Sequence, residues 1–347
     1  MKGAGWIYCF GLAAALASAQ AQATVCPSGG TQPGVDASRF DGAVDWGQVR
    51  AAGSVFAFAR VDDGPLAGAW FDTNYAEIKS VGMLRGAYQV YQPTVPVAAQ
   101  TDRLLAKIGL LGPGDLPPTL VVESSSGQSP AAIANGVQTW VSIMQQATGR
   151  VPIISTYAAF WNTKVGSSSF SANPLWVEGG LGACPALPAA WLNWAFWQPS
   201  RPPGQVAGIS HDVFNGSMAR LNRLAGNVID VQLEIERGEG RQPPAINLHG
   251  HRRLRVEIRS SATFDATEID VGTLTFGHTG GEQSLASCHP EESDDEPWVD
   301  LVCRFHTERC GFQPGDTEAL LEGETVAGLP IQGRATIRIV ERNGSDR

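Results

Sequence analysis

Apolar and polar residues follow one rhythm up to about residue 227 and another beyond it. In the first stretch, apolar runs at 54–60, 85–91, 119–122, 151–157, 174–177 and 194–198 read as short buried strands. A strand over 34–38 precedes them and ends in a turn. The intervening segments 46–52, 71–81, 95–108 and 129–148 have helical spacing, with Gly82 and Gly149 as stops. A last helix is expected over 217–225. From residue 228 the period becomes two, at 228–236, 254–259, 320–325 and 335–340, between Gly- and Pro-rich turns.

These rhythms predict two domains. Repeated strand–helix alternation implies an α/β barrel or a doubly wound sheet. No Gly-x-Gly-x-x-Gly or Walker loop follows the first strand, which counts against a nucleotide fold. The later alternating strands suggest an all-β sandwich. In a barrel, functional groups sit at the C-terminal ends of the strands. Asp36, Asp62 or Asp63, Tyr88, Glu123, Tyr157 and Glu178 all fall there.

Charge divides the chain at the same place. Residues 1–227 carry 13 Lys/Arg against 12 Asp/Glu, whereas 228–347 carry 12 against 22, within a net charge of −9. Neither part has the basic surface of a nucleic-acid binder. Met1-Lys2, an apolar stretch over 7–16 and Ala17-Ser18-Ala19 read as a signal peptide within residues 1–23, so a secreted or periplasmic protein is expected. No later run is long enough to span a bilayer. Residues 24–33 then form an N-terminal strap, 34–226 the α/β domain and 228–347 the acidic β domain. Export permits disulfides, and the preferred pair is Cys26 with Cys184. Cys288, Cys303 and Cys310 allow one further bridge and one leftover thiol.

The chemistry centres on Leu120-Val121-Val122-Glu123, an apolar run that ends in a carboxylate. Burial at the end of a dry strand raises a carboxyl pKa, as a general acid near neutral pH requires. Alternation sets Val121 on the same face as Glu123. A glycosidase wants a second carboxyl near its acid; here that neighbour is apolar.

Several short motifs occur in consistent order over roughly residues 32–226: Gly34-Val-Asp36-Ala-Ser38, Asp45-Trp46, Phe71-Asp-Thr-Asn-Tyr, Arg85-Gly-Ala-Tyr88, Leu116-Pro-Pro, Asn173-Pro-Leu-Trp176, Phe196-Trp197-Gln198 and Val213-Phe-Asn-Gly-Ser217. Together they resemble the family-25 glycoside hydrolases, the Chalaropsis-type lysozymes, which are N-acetylmuramidases on an irregular TIM-like barrel. The resemblance implies that Glu123 is the acid/base and Asp36 the first-strand active-site aspartate. It also implies departures. The family's Asp-x-Glu reads Val121-Val122-Glu123; a late-strand aspartate expected near Ser210 is absent, with Asp212 two residues on. Arg39 stands where a histidine is usual, Val177-Glu178-Gly-Gly where small, amide and aromatic residues are usual, and Pro199 where a tyrosine is common.

The expected function is therefore hydrolysis of peptidoglycan glycan, weakened by Val121, with a catalytically inactive glycan-binding barrel as the alternative. No cofactor is expected for catalysis. Tyr88, Tyr157 and Trp197, with Trp161, are candidates to stack on sugar rings, although aromatics at strand ends are as often core. Glu178 and Asp212 are further candidate substrate contacts. Asp62 and Asp63 fit a loop-satisfying role, and His211 beside Asp212 lacks any nucleophile elbow. The C-terminal part resembles an uncharacterised sandwich module of secreted bacterial proteins. Within it, Glu292, Asp294, Glu296 and Asp300 have a spacing that can wrap oxygen ligands around structural Ca²⁺; a solvated acidic turn is the other reading.

Overall fold

Eight strands close into a barrel in sequence order. They are β1 (Thr31–Ala37), β2 (Phe56–Arg60), β3 (Leu84–Val90), β4 (Thr119–Val121), β5 (Ile153–Thr156), β6 (Leu175–Glu178), β7 (Phe196–Gln198) and β8 (Ser210–Asn215). This computed structural model describes residues 24–27, 29–61, 70–200, 208–235, 243–248, 253–292 and 297–340. The expected signal peptide, Asp62, Asp63, Asp294 and Glu296 lie outside the described residues. Strands β1 to β7 run parallel, but β8 is antiparallel to both of its neighbours, β7 and β1. The strand–helix alternation therefore stops short, and a reversed strand closes the ring.

Helices α1 (Trp46–Ala51), α2 (Phe71–Ser80), α3 (Val97–Ile108), α4 (Pro130–Thr148) and α5 (Ala158–Phe160) follow the first five strands; α5 continues into a wide turn, Trp161–Val165. Helix α6 (Met218–Leu224) follows β8. Their starts are chemically marked. Asp45, Ser129 and Ser217 accept backbone N–H groups from the first turns of α1, α4 and α6, groups that otherwise lack a partner. Gly149 ends α4 at φ 67°, a left-handed conformation that costs a side-chain-bearing residue strain.

The barrel interior is plugged by aromatic rings. Phe58 stacks on Trp176 at 4.6 Å and meets Phe196 edge-on at 5.2 Å, with Phe56 and Phe214 alongside. Room for the plug comes from Gly34 and Gly86, where a Cβ would run into the rings of Phe56 and Phe58. A second apolar layer, including Trp46, Trp140, Trp161 and Trp194, lies between strands and helices. Because the plug fills the ring, any hollow must lie on top of it, at the C-terminal ends of the strands.

The rest of the chain is all-β. A seven-stranded sheet takes the order β12 (Ile269–Gly277), β15 (Glu318–Thr325), β16 (Pro330–Thr336), β9 (Ile229–Ile235), β11 (Arg253–Arg259), β14 (Val299–His306), β13 (Leu285–Glu292). A two-stranded ribbon pairs β10 (Ala245–Asn247) with β17 (Arg338–Val340). The expected sandwich of facing sheets is replaced by one large sheet. Its edge strands are drawn together through 278–284: Phe276 N–H bonds Glu282 O at 3.1 Å, and His306 N–H bonds Ser284 O at 2.8 Å. The single run expected over 335–340 breaks at Ile337, whose buried side chain joins the core while β17 leaves to pair with β10.

Cys26 and Cys184 form the expected disulfide, and Trp194 Nε1 donates to Val25 O at 2.7 Å, so the strap is anchored to the barrel. The second bridge joins Cys288 to Cys303, register partners on β13 and β14, leaving Cys310 as a buried thiol. Arg223 of α6 donates to Gly323 O at 3.2 Å and pairs with Glu322 at 3.6 Å, linking the barrel to the large sheet. Among the described residues, no helix is long and apolar enough to cross a membrane.

Candidate active site

A hollow of about 200 Å³ opens where the strands end above the aromatic plug. Trp176 contributes to its floor, and carboxyl-bearing side chains enter from β1, from beyond β4 and from β6: Asp36, Glu123 and Glu178. Sequence reasoning placed all three at strand ends, and the barrel brings them to one cavity. A second hollow, of about 450 Å³, continues sideways and shares Glu178 and Gln198 with the first. Tyr157 lines this flank.

Asp36 lies on the floor, 8% exposed. Tyr88 Oη donates to its Oδ1 at 3.1 Å, and Gln198 Nε2 donates to Oδ2. Burial pushes its pKa up to about 6, helped by nearby Asp41, while the bonds from Tyr88, Gln198 and Ser210 oppose the rise. Tyr88 itself is buried and its phenol is held well above its ordinary value, first by burial and then by Asp36. Its hydroxyl is thus a fixed donor to Asp36, and its ring meets Trp176 edge-on at 5.8 Å.

Glu178 ends β6 and is half-buried. Ser155 Oγ donates to its Oε1 at 2.6 Å. Its pKa rises to about 7, chiefly through burial, with Glu123 and Asp36 adding repulsion against the Ser155 bond. Gly179 and Gly180 follow at φ 83° and 98°, turning the chain away so that Glu178 stays at the lip; Gly179 N–H closes on Gln198 O at 2.8 Å.

Glu123 corrects an expectation. Strand β4 stops at Val121, so Glu123 lies two residues beyond it, exposed on the rim. The burial argued from the apolar run is absent. The carboxyls raised by burial are instead Asp36, Glu178 and Asp212. The shared face of Val121 and Glu123 does hold: Val121 is 6% exposed and, with Val90, makes an apolar wall of the same hollow.

Three candidate contacts lie elsewhere. Trp197 points outward into the layer between strands and helices, donating to Gly179 O at 2.8 Å, and does not line the hollow. Its neighbour Gln198 faces the cavity, as strand alternation from Phe196 requires. Asp212 is 1% exposed, inside the barrel, where Trp176 Nε1 donates to its Oδ1 at 3.0 Å. Its Oδ2 is buried without a hydrogen-bond partner, and burial, then Asp36, raise its pKa well above the usual range. Asp212 therefore lies behind Trp176 rather than in the hollow. Trp161 is likewise core, packed on Phe170 and Trp191.

Arg60, Ser155, Trp176, Gln198 and Ser210 line the hollow without having been singled out. Arg60 closes β2, and the strand-end rule that selected Asp36 would have selected it too. In the C-terminal sheet, Glu292 is exposed on β13, whereas Asp300 is buried on β14 and accepts Ser260 N–H at 2.7 Å. Among the described residues, no group of three or more potential metal ligands comes together.

Comparison with known proteins bears on the barrel. Glycosyl hydrolases family 25 matches residues 35–209. "Lysozyme M1" of Streptomyces globisporus is 32% identical over 210 residues, covering 56% of this chain and 71% of the relative. The crystal structure of the bacterial lysozyme from Streptomyces coelicolor superposes with a TM-score of 0.52 at 30% identity, over 56% of this chain and 97% of that one. The Clostridium perfringens spore cortex lytic enzyme SleM matches in fold alone, at 16% identity and TM-score 0.50, over 89% of this chain and 98% of its own. The family match stops at residue 209 and lends nothing to the resemblance noted for the C-terminal part.

Proposed function

Because this chain belongs to glycoside hydrolase family 25, we propose that it is an exported enzyme that cuts N-acetylmuramyl β-1,4 linkages in peptidoglycan. The observation that carries this reading is the convergence of Asp36, Glu123 and Glu178 on one hollow at the C-terminal mouth of the barrel. Two disulfides support export, since such bridges persist in oxidising compartments. Glu123, at the open rim, is positioned to meet a leaving-group oxygen that must reach solvent. It gives that oxygen a proton as the C1–O bond breaks, and the bonding pair stays on the oxygen. Asp36, fixed by Tyr88 and Gln198, supplies negative charge beneath the sugar once it is ionised.

A second reading, a glycan-binding barrel without turnover, draws on the apolar Val121 wall and the exposure of Glu123. Release of reducing ends from purified cell walls separates the two. Hydrolysis by the wild type that falls by ~100- to 10,000-fold in Glu123→Gln is expected for a lost acid/base group. Absence of hydrolysis with wall binding retained would select the binding reading.

A further inference from the structure

The hollow has an apolar side at Val121 and, two strands further round the ring, the carboxyl of Glu178. Val121 is the register partner of Ser155 on β5, and Ser155 in turn donates to Glu178 on β6. The cavity wall thus passes from a methyl-bearing residue through a hydroxyl to a carboxyl that lines both hollows. A half-buried carboxyl that has Ser155 as its donor and Glu123 and Asp36 as like-charged neighbours costs stability that a smaller neutral residue would not. We propose that Glu178 is a further catalytic carboxylate of this cleft, beside Glu123 and Asp36, accepting the N–H of the bound sugar's 2-acetamido group from β6 because β4 offers only Val121.

This inference rests on the hydrolase reading above. As the acetamido oxygen bonds to C1, the glycosidic C1–O bond breaks and its electron pair remains on the leaving oxygen, which takes the Glu123 proton. Positive charge then builds on the acetamido group, and the carboxylate of Glu178 opposes it. Water adds to C1, gives a proton to the Glu123 carboxylate, and the acetamido oxygen departs with its pair. Glu178 acts only when ionised. The charged and titratable groups around it are Asp36 from β1, Arg60 from β2, Tyr88 from β3, Glu123 beyond β4, Tyr157 beyond β5 and Asp212 from β8. Most are acidic or neutral, which is why burial and repulsion bring its titration to about 7.

The test uses the mature exported chain with purified peptidoglycan, and tri-N-acetylchitotriose as a binding probe. Wild-type kcat/KM should climb as pH rises through about 7. Glu178→Gln should lose ~100- to 1000-fold, the usual effect of removing a transition-state charge partner, and lose that limb. Adding Val121→Asp to Glu178→Gln should restore at least part of the loss and move the limb to lower pH, which a merely structural role would not produce. A Glu178→Gln enzyme with wild-type activity and an unchanged limb overturns the inference while leaving the hydrolase reading intact. A wild type that binds the probe more tightly as pH passes 7, against a flat Glu178→Gln profile, supports the contact even without turnover; equal profiles overturn it. A wild type that neither cuts nor binds removes the hydrolase reading, and this inference with it.

Discussion

The barrel and the large β-sheet handle their acids in opposite ways. The sheet holds most of the negative charge, on carboxylates that lie at its surface or meet a cation: Glu257 and Glu291 contact Arg255 at 3.0 and 2.9 Å, and Glu234 contacts Arg259 at 2.5 Å. The Arg255 bond holds Glu291 below its ordinary range. Glu282, which burial alone would raise, is pulled down by the hydroxyl and N–H of Thr279. The near-neutral barrel keeps Asp36, Glu178 and Asp212 together inside its mouth and floor, all raised by burial. Net charge therefore points to the wrong half of the molecule. Chemistry concentrates where a few acids are buried without a cationic partner.

The two regions also differ in how they are tied, and this gives the largest expected effect. Cys26–Cys184 joins residues 158 apart, whereas Cys288–Cys303 joins residues only 15 apart. Chain entropy assigns the longer loop about 5 kcal/mol and the shorter about 3 kcal/mol. Cys26→Ser should therefore lower barrel stability more than Cys288→Ser lowers that of the sheet, as measured by denaturant unfolding. A larger loss from the short loop would show that strap packing, including the Trp194–Val25 bond, already fixes the N-terminus.

Next in size is Asp36→Asn. If the floor carboxylate stabilises the reacting sugar, kcat should fall ~100-fold or more, about 3 kcal/mol, while the fold persists. Its contribution in the wild type requires ionisation, so it is lost as pH falls through about 6. An Asp36→Asn enzyme that keeps wild-type kcat at pH 7 would reduce Asp36 to a hydrogen-bond acceptor for Tyr88 and Gln198.

Stability should run the other way with pH. Asp36 and Glu178 have folded-state pKa values raised to about 6 and about 7. The folded barrel thus holds protons that the unfolded chain releases. That stability is fully present below pH 4 and is lost as pH rises through 6 to 7. Glu178→Gln removes its share and should stabilise the barrel at pH 8 by up to about 3 kcal/mol, with almost no gain at pH 4. Equal effects at both pH values would mean that Glu178 is solvated in the folded protein.

Much of this arrangement was legible in the sequence, for local reasons. Ser129, Gly149 and Ser217 mark helix ends because capping is a contact between near neighbours. Asp36, Tyr88, Glu123 and Glu178 were found because a parallel barrel exposes its strand ends at one mouth. What failed was non-local or was judged by residue type. Reversed β8 is fixed by pairing with β1, whose partner residues lie far off in sequence. Glu123 was expected to be buried, but β4 stops at Val121, a limit set by neighbouring strands. Trp197 is a candidate by its aromatic ring, yet it faces the outer layer, and it is its neighbour Gln198 that meets Asp36.

The smallest effect belongs to the sheet and sharpens the contrast. Arg255 bridges Glu257 and Glu291, and both glutamates retain contact with water. Exposed pairs contribute about 0.2–1 kcal/mol and are screened by salt. Arg255→Met should therefore destabilise the sheet by less than about 1 kcal/mol at low salt, and by less still at 1 M. The three raised barrel acids lie in or beneath the hollow, where mobile ions screen weakly, so the pH dependence of barrel stability should survive the same salt. Unfolding curves that respond to salt in the barrel but not in the sheet would invert the comparison and place the unneutralised charge on the outer surface.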